Sequence, residues 1–192
     1  MKRIDALRTI IESTANEPVV ATCAATSREL ASIDDRDNHL YLLDAMGLAI
    51  SVGNGIAQCI QANSEARCFV IEGDGSMLMN PGAALTAGYL RQENLVIIVL
   101  DNGVYASTAG IPTQARDLDL GAIAEAAGLR VLRPEGEAEL AAALTASRNE
   151  AGPWFLHARI EPGNAASTPL LLMDPVILGQ RFQSWLLCRT AS

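Results

Sequence analysis

The chain has no apolar run long enough to cross a bilayer, no CxxC pair, no Walker lysine motif and no GxGxxG turn, and its basic residues are outnumbered. Each absence closes a class of function. A helical membrane span needs about 20 consecutive apolar residues, and no stretch supplies them. Lys and Arg number 14 against 22 Asp and Glu, giving a formal charge of −8 and a pI near 4.7, the wrong sign for binding a nucleic-acid backbone. The missing Walker and GxGxxG patterns argue against an ordinary nucleotide-binding module. Cys23, Cys59, Cys68 and Cys188 sit in apolar contexts without metal-ligand spacing, so they read as reduced, mostly buried thiols, with Cys23 alone a candidate to line a site. Met1 to Ala15 reads as an amphipathic helix with Ile4, Leu7, Ile10 and Ile11 on one side, without the apolar core of a signal peptide. A cytoplasmic protein is expected.

What is present fits one compact domain spanning residues 1–192: 49% of the residues are hydrophobic, enough for a buried core. Strand-like runs at Pro18 to Cys23, Leu40 to Leu43, Arg67 to Glu72, Leu95 to Leu100, Leu129 to Leu132 and Trp154 to Ile160 alternate with helical runs. The helices are expected at Ser27 to Ile33, Met46 to Gln61, Pro81 to Leu90, Leu120 to Ala127, Glu137 to Asn149 and Asp174 to Leu187. That alternation predicts an α/β fold, a three-layer α/β/α arrangement around a six-stranded, mostly parallel sheet. In such sheets a ligand sits beyond the carboxyl ends of the strands. The segments after Cys23, Leu43, Glu72 and Leu100 are therefore expected to converge.

The most informative of these tips lie between Val70 and Tyr105. One apolar strand ends in Gly73-Asp74-Gly75-Ser76 and the next in Asp101-Asn102-Gly103-Val104-Tyr105. The glycines let backbone approach a ligand, and free N–H groups at a turn favour phosphate oxygens. A carboxylate among them would repel those oxygens unless a cation lay between, which makes Asp74 a candidate ligand. Magnesium takes about six oxygens, commonly a carboxylate, phosphates and water. Asp74, the Asn102 amide oxygen, a backbone carbonyl near Val104 and two phosphate oxygens would nearly complete that shell.

A GDG turn followed, across a helix and a strand, by an Asn-containing turn resembles the diphosphate motif of thiamine diphosphate enzymes. Ser27-Arg28-Glu29-Leu30, Ala45-Met46-Gly47-Leu48-Ala49, Ser107-Thr108, Pro112-Thr113, Asp174-Pro175-Val176 and Arg181-Phe182 narrow the likeness. Over nearly the whole chain it resembles sulfopyruvate and phosphonopyruvate decarboxylases, above all the β subunit of the split sulfopyruvate enzyme, which carries the diphosphate-binding domain alone. The resemblance implies thiamine diphosphate and Mg2+ as cofactors and a 2-oxo acid with an anionic 3-substituent as substrate. It implies cofactor contacts from Asp44, Ala45 and Met46 at the aminopyrimidine, with Met46 beneath the bent cofactor. The remaining contacts would come from Gly73, Asp74, Gly75, Ser76, Asn102, Val104 and Tyr105, with Asp74, Asn102 and Val104 on the metal. The lesser alternative for Met46 is ordinary core at a helix start.

The glutamate that activates the pyrimidine belongs, by the same resemblance, to a pyrimidine domain on a partner α subunit. The isolated chain is then expected to be inefficient, and an α2β2 or larger hetero-oligomer is expected, with a homodimer contact between copies of this chain as a further expectation. No catalytic residue is assigned to this chain. His39 and His157 read as structural. The polar segment Tyr105 to Arg116 reads either as a lid, with Ser107 and Thr108 reaching phosphate or substrate, or as an exposed loop with self-capping hydroxyls. Cys23-Ala24 stand where such enzymes show Thr-Gly, Asp44 replaces a Gly, and Asn54 and Ala109 replace commoner residues. A noncatalytic scaffold that lost cofactor binding through Cys23, Ala24 and Asp44 is the alternative of another class.

Overall fold

The computed structural model describes residues 1–61 and 66–190. Its centre is a pair of strands, β3 (Cys68–Gly73) and β4 (Leu95–Asp101), in which every residue but Gly73 is buried. Unbroken apolar runs of this kind belong in parallel sheets covered on both faces. Around them stand β1 (Val19–Ala21), β2 (His39–Tyr41), β7 (Arg130–Leu132) and β8 (Trp154–Arg159), giving a six-stranded sheet of order β2-β1-β3-β4-β8-β7. Every pairing within it is parallel.

Successive side chains of β3 leave opposite faces, as strand pleating requires: Phe69 and Ile71 join one core layer, Cys68 and Val70 the other. The first layer is closed by α1 (Arg3–Ser13), α2 (Ala25–Ile33), α7 (Glu137–Asn149) and α8 (Pro175–Thr190), the second by α3 (Ala49–Gln61), α5 (Gly82–Leu90) and α6 (Leu120–Ala126). In α1, Leu7, Ile10 and Ile11 are buried as the helical period predicts, whereas Ile4 is only half-buried. The expected three-layer α/β/α arrangement is therefore present. No helix among the described residues is long and apolar enough to cross a membrane.

The departures from expectation have local causes. The third helix begins at Ala49 rather than Met46, because Gly47 sits at φ +77°, outside the helical region. A short helix α4 (Asp74–Met79) rises directly from the GDG turn and ends at Asn80-Pro81 before α5. Tyr105 to Arg116 is not an irregular loop: β5 (Val104–Tyr105) and β6 (Ile111–Pro112) form an antiparallel hairpin, followed by a 3-10 turn over Gln114–Arg116. Cys23 and Cys68 are buried, but Cys59 and Cys188 face solvent from α3 and α8. Burial raises the pKa of both buried thiols, which keeps them protonated.

Three of the unusual residues carry a visible cost. Ala24 adopts φ 60°, ψ −129°, and Ala109 φ 49°, conformations that suit glycine. Asn54 is buried in α3 with neither amide atom hydrogen-bonded. We expect Ala24→Gly to stabilise the chain by about 1 kcal/mol, read as a higher urea midpoint with unchanged slope.

His39 is fully buried on β2, its Nδ1 lies 3.3 Å from the Tyr41 hydroxyl, and its Nε2 has no partner. Burial, helped by the nearby Arg36 charge, pushes its pKa from 6.5 down to about 4. The folded state thus refuses a proton that the unfolded chain accepts, so stability is intact above pH 6.5 and falls as pH drops toward 4. The slope contributed is up to about 1.4 kcal/mol per pH unit. In His39→Gln this contribution should vanish, which pH-resolved denaturation of both proteins would measure.

Candidate active site

Residues Gly73 of β3 and Leu100 of β4 are paired neighbours, so Asp74 and Asn102 leave the sheet side by side. Around them lies a groove of about 100 Å3. Met46, Gly73, Asp74, Gly75, Ser76, Asn102, Val104 and Tyr105 all line it, together with Cys23. Asp44 does not: it is exposed and lines an adjoining cavity with Arg28 and Leu170–Leu172. Ala45 lines neither cavity, and its N–H closes a turn onto the Leu42 carbonyl.

Asp74 is 3% exposed and accepts a hydrogen bond from the Thr113 hydroxyl at 2.5 Å. Burial raises its pKa, the nearby Asp101 adds to the effect, and Thr113 with the amides of Asn102 and Gly75 works against it. A buried carboxylate beside another carboxylate is stabilised by a bound cation. The Asn102 side-chain oxygen accepts from the Val104 N–H at 3.0 Å, an Asx turn that fixes its direction and leaves it a second lone pair. The Val104 carbonyl is also available. Thr113 N–H donates to the Gly103 carbonyl at 3.0 Å, so the next pair, Val104 and Pro112, falls at the non-bonded position of the hairpin ladder.

These are hard oxygen donors of the kind magnesium takes. Among the described residues no group of three or more His, Cys, Asp and Glu is placed to hold a metal. A cation at Asp74 would therefore share amide and carbonyl oxygens and those of its ligand. The two glycines have different duties. A Cβ on Gly73 would meet nothing within 4 Å and marks open space above the strand end, whereas one on Gly75 would lie 2.4 Å from the Tyr105 ring. The backbone there is bare so that Tyr105 can pack against it.

Ser76 faces the groove, but its hydroxyl is committed elsewhere: it lies 3.0 Å from the Thr22 hydroxyl and accepts from Gly47 N–H at 2.8 Å. Asn80 Nδ2 donates to the Gly47 carbonyl at 2.9 Å. The segment carrying Met46 is thus clipped to α4. Beneath it, Glu72 is fully buried, with Oε1 accepting from Gly73 N–H at 3.0 Å and Oε2 unpartnered; burial raises its pKa. Of the hairpin hydroxyls, Ser107 lines the groove while Thr108 caps the Tyr105 carbonyl at 3.3 Å.

Sequence reasoning missed Thr113, Glu72, Thr22 and the Asp101–His157 pair as parts of the site. Asp101 Oδ2 lies 2.8 Å from His157 Nε2, its Oδ1 accepts from Gly103 N–H at 3.0 Å, and both residues are buried. His157, read from the sequence as structural, braces through Asp101 the turn that presents Asn102. The motif Asp101-Asn102 signalled the first partner; nothing local signalled a histidine 56 residues away. Arg3 of α1 forms another wall, held by Glu29 at 2.8 and 3.1 Å and by Asn164 at 2.6 Å.

Residues 22–158 match the family described as thiamine pyrophosphate enzyme, C-terminal TPP binding domain, and the chain belongs to that family. Within it, the chain is similar to the sulfopyruvate decarboxylase subunit beta of Methanothermobacter thermautotrophicus, 38% identical over 95% of this chain and 94% of that one. It is also 38% identical to a phosphonopyruvate decarboxylase of Streptomyces hygroscopicus, over 87% of this chain but only 41% of that longer one. The fold is shared with a benzoylformate decarboxylase from Polynucleobacter necessarius, at a TM-score of 0.73 and 17% identity over 88% of this chain and 34% of that one.

Removing a side chain that supports a metal ligand commonly costs about 10-fold to 100-fold in metal affinity. We expect His157→Phe to weaken magnesium binding, measured by titration at fixed thiamine diphosphate, by about 10-fold while the circular dichroism spectrum is retained.

Proposed function

We propose that this chain is the diphosphate- and magnesium-binding subunit of a thiamine diphosphate-dependent 2-oxo acid decarboxylase that converts sulfopyruvate to sulfoacetaldehyde and CO2. The observation that carries the reading is the convergence of Asp74, Asn102 and the unbonded Val104 carbonyl at the ends of neighbouring strands. Similarity along almost the full length of a sulfopyruvate decarboxylase β subunit supports the substrate. Phosphonopyruvate is the second choice, supported by equal identity to a phosphonopyruvate decarboxylase.

Thiamine diphosphate, when bound, supplies the electron sink that decarboxylation of a 2-oxo acid requires. This chain's part is binding and positioning. Asp74, Asn102 and Val104 hold magnesium; the turn at Gly73 to Gly75 offers backbone N–H groups to diphosphate oxygens. Met46 and Tyr105 form apolar walls that limit water, and Ser76 keeps the Met46 segment in register with the diphosphate turn. Asp44 and Ala45 stand outside the groove, and with Met46 and a partner they are read as the contacts of the pyrimidine edge. The activating glutamate is assigned to the pyrimidine domain of an α subunit, in an α2β2 or larger assembly in which two copies of this chain also make contact. We read residues 1–192 as one diphosphate-binding domain and the cytoplasm as its compartment.

Calorimetric titration of thiamine diphosphate into the chain, with magnesium or chelator and with or without an α-type partner, tests the proposal. Binding should require magnesium, and Asp74→Ala should weaken it at least about 10-fold with the fold intact. No binding even with partner would favour the noncatalytic scaffold, and unchanged affinity in Asp74→Ala would remove that residue from the metal site.

A further inference from the structure

The groove wall contains two guanidinium groups, from Arg3 and Arg28, and they are in opposite electrostatic states. Arg3 is 7% exposed and fully engaged by the Glu29 carboxylate, Asn164 Oδ1 and the Gly163 carbonyl. Arg28 is half-buried one turn into α2, its backbone N–H anchored on the Ala24 carbonyl at 3.2 Å, and its side chain has no hydrogen bond or ion pair among the described residues. Asp44 shares a cavity with it yet makes no ion pair with it. A chain of formal charge −8 has thus left a cation uncommitted where its ligand binds.

Arg28 also stands at a boundary. It lines both the groove that contains Asp74 and the adjoining cavity of about 360 Å3 between Leu43, Asp44 and Leu170–Leu172. Asp74 and the diphosphate turn line only the groove. The cation therefore faces space beyond the metal end.

We propose that Arg28 is the specificity-determining counter-charge for the anionic 3-substituent, sulfonate or phosphonate, of the 2-oxo acid; this rests on the function proposed above. The chemistry distinguishes that group from the substrate's other anion. The carboxylate leaves as neutral CO2, so a fixed cation holding it would stabilise the ground state against the reaction. The 3-substituent keeps its charge throughout, and a cation there orients the substrate without opposing the step. A planar guanidinium fork suits an oxyanion with several equivalent oxygens, which two of its N–H groups can engage together.

The test uses the complex of this chain with its α-type partner, comparing wild type with Arg28→Gln and Arg28→Lys. Readouts are kcat/KM for sulfopyruvate, phosphonopyruvate and pyruvate, and the magnesium-dependent affinity for thiamine diphosphate. The ratio of kcat/KM for sulfopyruvate or phosphonopyruvate to that for pyruvate should fall on the order of 100-fold in R28Q, with partial recovery in R28K and cofactor affinity held within about 2-fold, a change too small to signal a lost charged contact. An equal loss for all substrates accompanied by weaker cofactor binding would place Arg28 on the diphosphate and overturn the assignment. An active wild-type complex whose ratio is unshifted in R28Q would overturn the assignment alone. A wild-type complex that turns over neither sulfopyruvate nor phosphonopyruvate would overturn the proposed function and the assignment with it.

Discussion

The pairing of β3 with β4, residue for residue from Cys68 opposite Leu95 to Gly73 opposite Leu100, is the constraint on which the site depends. Because a parallel ladder keeps both chains running the same way, the two strands deliver their successors to the same edge of the sheet. Asp74 and Asn102 therefore arrive together without any contact between their own side chains having to bring them there. A slip of one residue would turn every β3 side chain to the opposite face, exchanging the Phe69 and Ile71 layer for that of Cys68 and Val70. Core packing on both faces thus protects the geometry of Asp74 and Asn102, the proposed metal ligands.

What the sequence made legible follows from the same physics. β3 and β4 were readable because strands buried on both faces have to be continuously apolar, and the GDG and Asp-Asn-Gly turns because glycine and a hard oxygen side chain at a strand end have few other uses. The interruption at Gly47 was less visible, since nothing in Met46-Gly47-Leu48 announces a positive φ before the turn is built. Two-residue strands such as β5 and β6 are too short to show a period. Thr113 and His157 were hidden for a different reason. Their partners lie 39 and 56 residues away, and such contacts exist only after the sheet has assembled.

The substitutions at positions 24, 54 and 109 share a pattern. Two place a Cβ where the backbone suits glycine, and the third buries an amide without partners. Ala24 sits at the groove wall, beside Cys23 and immediately before the helix that carries Arg28. Strain of this kind persists where the surrounding structure over-determines a conformation, and here β1, β3 and the Ser76 network hold the chain on either side. Asp74, Asn102 and Val104, the residues proposed to face magnesium, carry no comparable departure.

The register of the β5–β6 hairpin has a consequence of another kind. The bond from Thr113 N–H to the Gly103 carbonyl makes Val104 and Pro112 the next, non-bonded pair, and at such a position the carbonyl is turned away from the partner strand. The oxygen is left outside the protein's own accounting of donors and acceptors, and its direction is held by bonds on either side of it rather than by a bond of its own. The alternation of the ladder thereby leaves a backbone dipole unspent at the mouth of the groove without using a side chain for the task.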